Sequence, residues 1–191
     1  MKQGGILSKV GRIRVKAGGD MRNFRQVLRL REGEIEVTEG DASYRVWVDA
    51  NHPVIRVEGS RKLTVSLEDW RKGDSVLERK GETVWFHRNR SEGIDSALRD
   101  ICFGGNIAVK GSVATINVLT AKGDEWGSLL KRQVAVKADI EAARAAHRKW
   151  WVRFWDRSWI VATGILRRPR RRGGIFYKDL LRHARVAELT R

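Results

Sequence analysis

The chain has 191 residues, 41% of them hydrophobic, which suits one well-filled core with an appended element and excludes wholesale disorder. No run approaches the roughly eighteen apolar residues of a membrane-spanning helix, and the single Cys102 excludes an internal disulfide and a cysteine-built zinc site. The net charge of +16 points first to a polyanion, but it gathers at the ends: residues 1–31 carry +8, residues 165–191 carry +7, and the body between them is nearly neutral at +1.

The N-terminal MKQGGILSKVGRIRVKAG has charge without the apolar stretch of a signal peptide, so the chain as written is expected in the cytoplasm. The first two-thirds then predicts β-structure. QVLRL and EIEVTE alternate in polarity and are joined through REGE, where Gly33 supplies the positive φ of a short hairpin. YRVWVD follows with Val46 and Val48 on one face and Trp47 on the other; VIRVEG and KLTVSLEDW continue the alternation across GSRK. SVLER and TVWFHRN flank Lys80-Gly81, and NIAVKG and VATINVLTA complete the series. Strands at intervals of about eight to twelve residues, punctuated by Gly, Asp and Asn, predict an antiparallel sandwich over residues 1–136. Cys102, in DICFGGNI, reads as a small buried hydrophobe.

From Lys137 the period changes. KADIEAARAAHRKWWVRFWDRSW places Ile140, Ala143, His147, Trp150 and Phe154 at helical spacing, which predicts an amphipathic helix over 137–160 with Asp139 at its start. Trp151 and Trp155 form a second row beside Trp150 and Phe154. One sheet covers one side of so wide an aromatic band, and an uncovered patch of that size favours association. The helix is therefore expected to lie between two bodies. Trp151 and Trp155 are the pair expected to lack a partner, so that their replacement by Ser or Gln would improve solubility. Self-association through this helix, partly resisted by the positive charge, is expected of the chain by itself.

Chemistry is sparse in the sequence. The carboxylates are scattered at turns and strand ends, the four histidines (His52, His87, His147, His183) are far apart, and no phosphate loop, metal-spaced pair or nucleophile elbow is present. No catalytic residue, metal or cofactor is assigned. His87, in WFHRNRS at a strand end, reads first as a structural hydrogen-bonding residue. LRRPRRRGG, residues 166–174, would neutralise phosphates without reading sequence, which makes a basic polyanion- or nucleic-acid-binding module the alternative function. Membrane action by the Trp/Arg helix is disfavoured by Asp139, Glu141 and Asp156.

Taken in order, ILSKVGRIRVKAGGDMRNFRQVLRLREGEIEV, YRVWVDANHPVIRVEG, VWFHRN and AHRKWWVRFWDRSWIVATG resemble an uncharacterised bacterial family of glycoside-hydrolase-like proteins. That family is similar in organisation to the α-L-fucosidases of glycoside hydrolase family 95. The resemblance spans residues 6–164 and implies an antiparallel β-supersandwich over 1–136, a linker helix over 137–160 and, beyond it, an (α/α)6 barrel that supplies the catalytic carboxylates. It implies that Trp150, Trp151, Phe154, Trp155 and Trp159 line the interface to that barrel. It also implies that His87 and Asn89 are partly exposed, beside the helix, toward a glycan cleft. The tail over 161–191 does not resemble the family, and a truncated or frame-shifted gene product is its expected origin; the other reading is a native basic tail with a short helix in FYKDLLRHARVAELTR. The expected function is the non-catalytic N-terminal domain of a carbohydrate-active hydrolase, inactive by itself. A sandwich that binds sugar through exposed tryptophans is a further alternative.

Overall fold

The structure is a computed structural model that describes residues 11–16, 18, 23–68, 75–79, 81–90, 99–136, 139–162 and 184–188. The chain is mostly antiparallel β-structure, as its alternating segments predict. The strands are β1 (Arg12–Lys16), β2 (Phe24–Arg29), β3 (Glu34–Glu39), β4 (Ala42–Val48), β5 (Val54–Gly59), β6 (Thr64–Glu68), β7 (Ser75–Arg79), β8 (Glu82–Arg88), β9 (Ile101–Lys110) and β10 (Val113–Lys122). They are followed by helices α1 (Gly123–Ala135) and α2 (Ile140–Arg157), and by strands β11 (Ser158–Ala162) and β12 (Ala184–Glu188).

Among the described residues, eight strands form one sheet in the order β2-β3-β4-β5-β10-β9-β8-β7, while β1 and β6 form a second layer of two strands. The hairpin turns carry glycines at positive φ where the sequence puts them, Gly33 at 66° and Gly81 at 76°. Strand alternation gives the large sheet two different faces. One presents Val57, Trp85, Ile107, Ala114 and Ile116, and Ile13, Val15, Val65 and Leu67 of the two-stranded layer pack over it. That is the sandwich, with a second layer much smaller than the first.

The opposite face carries the helices. Trp126 and Leu130 of α1 pack on Phe86, Cys102 and Leu119, with the Trp126 Nε1–H donating to the Leu119 carbonyl at 3.1 Å. This helix corrects the expectation that β-structure runs through residue 136. Its signals are Asp124 and Glu125 in the first turn and Arg132 in the last, with Trp126, Leu130 and Gln133 at helical spacing. Gly123 and Gly127 mask that pattern, since glycine is a poor helix former. Gln133 ties the end of α1 to the β4–β5 connection by donating to the Pro53 carbonyl at 3.2 Å.

Burial of Cys102 beneath α1 raises its thiol pKa. The folded protein is accordingly expected to resist iodoacetamide at neutral pH and to label fully in denaturant. Equal rates in the two states would show that α1 does not cover the thiol.

Candidate functional site

Helix α2 starts where the sequence places it: the Asp139 carboxylate caps it by accepting from the Glu141 N–H at 3.0 Å. It ends at Arg157 rather than at residue 160, because Ser158 turns extended and opens β11. The inner side of α2 is pinned to the β2–β5 end of the large sheet by one histidine and two arginines. His147 is fully buried, with its ring 4.9 Å from that of Trp47. The Ala50 N–H donates to His147 Nδ1 at 3.2 Å, which leaves the ring proton on Nε2 to be donated to the Gly33 carbonyl, also at 3.2 Å. The sequence places this residue on an apolar row; the fold uses it as a polar pin between two turns.

On either side of His147 stand charged pairs. Arg148 donates to both oxygens of Glu34, at 2.7 and 3.0 Å. The Glu34 side chain is fully withdrawn from water, and Arg45 reaches it at 2.9 Å from the sheet. Hydrogen bonding to Glu34 raises the pKa of the Arg148 guanidinium. Arg144 pairs with Glu58 at 3.1 Å, and Glu58 also accepts from the Trp47 Nε1–H at 2.8 Å.

The aromatic band divides along the axis of α2. Trp151 lies over Gly33, where any larger residue would collide with the indole, and the Trp155 Nε1–H donates to the Leu30 carbonyl. Both are therefore docked, which corrects the expectation that they form the uncovered pair. Trp150 faces outward, and the half-buried Phe154 lies between it and the inner row. The rings of Trp150 and Phe154 are stacked at 5.6 Å and 7°, and Trp150 keeps 42% of its surface exposed. Trp159 falls on β11, and its side chain lies outside the described residues. Where the inner row meets the sheet, a small groove of about 220 Å³ opens between Trp151, Trp155, Leu28, Leu30 and Val48.

The fold does not bring His87 or Asn89 to this helix. His87 is half-buried on β8 with its ring 5.1 Å from Phe103. Alternation sets it on the face of Trp85, opposite the face that carries both helices. Asn89, also half-buried, exchanges backbone hydrogen bonds with Ile101 and Asp100. A larger cleft of about 760 Å³ lies between α1 and the β7–β8 hairpin, lined among others by Phe86, Arg88, Arg90, Trp126 and Lys131.

The buried acids are engaged in holding the fold. Glu34 has its two arginines, Asp49 accepts from the Asn51 N–H at 2.9 Å and lies 3.8 Å from Arg56, and Glu39 accepts from the Tyr44 hydroxyl. In the cleft, Arg88 donates to Asp100 and Asp124, which raises the Arg88 pKa and lowers that of Asp100. Among the described residues, no group of three or more His, Cys, Asp or Glu is placed to hold a metal ion.

The basic N-terminal end is partly neutralised: Arg12 and Arg14 meet Glu68, Arg29 meets Glu36 and Arg31 meets Asp156. The arginine run 166–174 lies outside the described residues. In FYKDLLRHARVAELTR, the stretch Ala184–Glu188 is strand β12 paired with β11, not helix.

Comparison with known proteins gives a family and a structural neighbour. The family model described as "Domain of unknown function (DUF5703)", for its N-terminal domain, matches residues 3–93 and 106–160. A solved structure provisionally assigned as a kojibiose phosphorylase from the human microbiome is similar with a TM-score of 0.48 and 13% identity over 78% of this chain. The chain spans 25% of that protein's length. The comparison with curated proteins returns no match.

Proposed function

The chain belongs to the family of the DUF5703 N-terminal domain, and from that premise we propose that it is the non-catalytic β-domain of a carbohydrate-active glycoside hydrolase. Its task is to carry a helical catalytic body, the (α/α)6 barrel, on the outer side of α2. The observation that carries this reading is the split of the aromatic band: the inner row is docked on the sheet, while Trp150, stacked on Phe154, is left with 42% of its surface in water. Large aromatics so placed are characteristic anchors of an interface. The engagement of Glu34, Glu39 and Asp49 in internal contacts fits a domain that supplies no acid–base pair of its own. The sugar chemistry rests on the sequence resemblance to glycoside-hydrolase-like proteins, with α-L-fucosides as the first substrate class to examine. Trp151 and Trp155 hold α2 in place, and Trp150 and Phe154 meet the barrel.

The purified chain is expected to release no aryl alcohol from a panel of aryl glycosides that includes an α-L-fucoside. Turnover that disappears on substitution of one Asp or Glu within residues 1–164 would overturn the non-catalytic assignment.

A further inference from the structure

The outer side of α2 is not only apolar. Counting from Trp150, Ala143 and Ala146 precede it by seven and four residues, Phe154 follows by four, and Arg153 and Arg157 follow by three and seven. Helical spacing sets Ala146, Trp150, Arg153 and Arg157 on one exposed flank, turned away from Trp151, with the half-buried Ala143 and Phe154 between it and His147. Lys149 adjoins Arg153, again four residues away. Both acids of the helix are engaged elsewhere: Glu141 pairs with Arg144, and Asp156 with Arg31. Arg153, Arg157 and Lys149 have no acidic partner among the described residues; the one bond from them is Arg157 Nε–H donating to the Arg153 carbonyl at 3.2 Å. A basic residue in the last turn also suits the negative end of the helix dipole, which accounts for Arg157 but not for Arg153 or Lys149.

We propose that this flank binds an acidic polypeptide surface, one that offers a pocket for Trp150 and carboxylates at the height of Arg153 and Arg157. The inference rests on the interdomain reading above and adds the chemistry of the partner: the helical body turns an acid-rimmed apolar face toward α2. Charge argues against a second copy as the stable occupant, because each copy carries +16 and the same three cations would face each other. An acidic partner instead gains steering and register from the same residues.

The test uses this chain and, as probe, the separately expressed helical domain of a longer member of the same family. Sedimentation and calorimetric titration are run at low and at high sodium chloride. Binding is expected to be about tenfold weaker at high salt. Trp150→Ser should abolish it, and the double change Arg153→Glu with Arg157→Glu should weaken it by tenfold or more at low salt. The thermal unfolding midpoint should fall only slightly in the double variant, because neither arginine side chain forms an internal ion pair and only the favourable Arg157 charge at the helix C-terminus is lost. Binding insensitive to salt and to the double change, yet lost in Trp150→Ser, would overturn the acidic-surface inference and leave the interdomain reading standing. No binding at either salt concentration would overturn both. Weak self-association of the chain that increases with salt is the expected opposite trend, since screening relieves the repulsion between copies. Self-association tighter than binding to the helical domain would overturn the proposal in favour of a second copy.

Discussion

Glu34→Gln is expected to lower the stability of the folded chain by about 2–3 kcal/mol, the usual effect of losing charged hydrogen bonds to a buried carboxylate. The carboxylate is fully withdrawn from water and is shared by Arg45 from the sheet and Arg148 from α2. The amide keeps the shape and removes the charge, so Arg148 loses its counter-ion and Arg45 keeps only Glu36, at 3.4 Å. Arg148→Leu should have a smaller effect, because its side chain is 43% exposed and Arg45 still balances Glu34. Urea unfolding followed by tryptophan fluorescence measures both. A loss below about 1 kcal/mol for Glu34→Gln would mean that these pairs do not hold the helix.

Gly33→Ala is expected to lift α2 from the sheet while most of the strands stay folded. Two effects combine at this turn: the φ of 66° favours glycine, and a methyl group would run into the Trp151 indole. Together they amount to about 2–4 kcal/mol. Gly111→Ala separates the two, since Gly111 has a similar φ of 59° with open space around it. That variant should lose only the backbone part, about 1 kcal/mol. Near-ultraviolet circular dichroism and tryptic cleavage after Lys149 or Arg153 report the undocking. Equal behaviour of the two variants would show that Trp151 does not need the space at Gly33.

Much of the fold is legible in the alternating segments, because a half-buried strand writes its period of two directly into the chain. EIEVTE, YRVWVD and VIRVEG lie where the alternation puts them, with the turns at Gly33 and Gly81. The small layer is harder to read: RIRVK alternates, but its three basic residues resemble the charged end around it, and its partner β6 is distant in sequence. Helix α1 is hidden by Gly123 and Gly127. At the candidate site, spacing gives two aromatic rows on α2 but not which row faces inward, because both are equally apolar. That choice is made by Gly33, which leaves room for Trp151, and by the Leu30 carbonyl, which accepts from Trp155. His147 shows the same limit, since nothing in a helical period announces that a buried turn carbonyl and a turn N–H wait on its two sides.

The strand order has a kinetic consequence. The large sheet consists of two meanders, β2 to β5 and β7 to β10, each built from neighbours in sequence, and one ladder, β5 against β10, joins them. Local hairpins form quickly, whereas a ladder that must first bring together distant stretches forms slowly. The joining ladder sets Ile55 opposite Ile116 and Val57 opposite Ala114, so the folding barrier is expected to lie in aligning these few apolar residues. Helix α2 leaves the ribosome after both meanders and reaches back 114 residues to Gly33, which makes its docking a late step on a sheet already assembled. Mutations in that ladder should therefore slow folding, while those that loosen α2 should mainly speed unfolding.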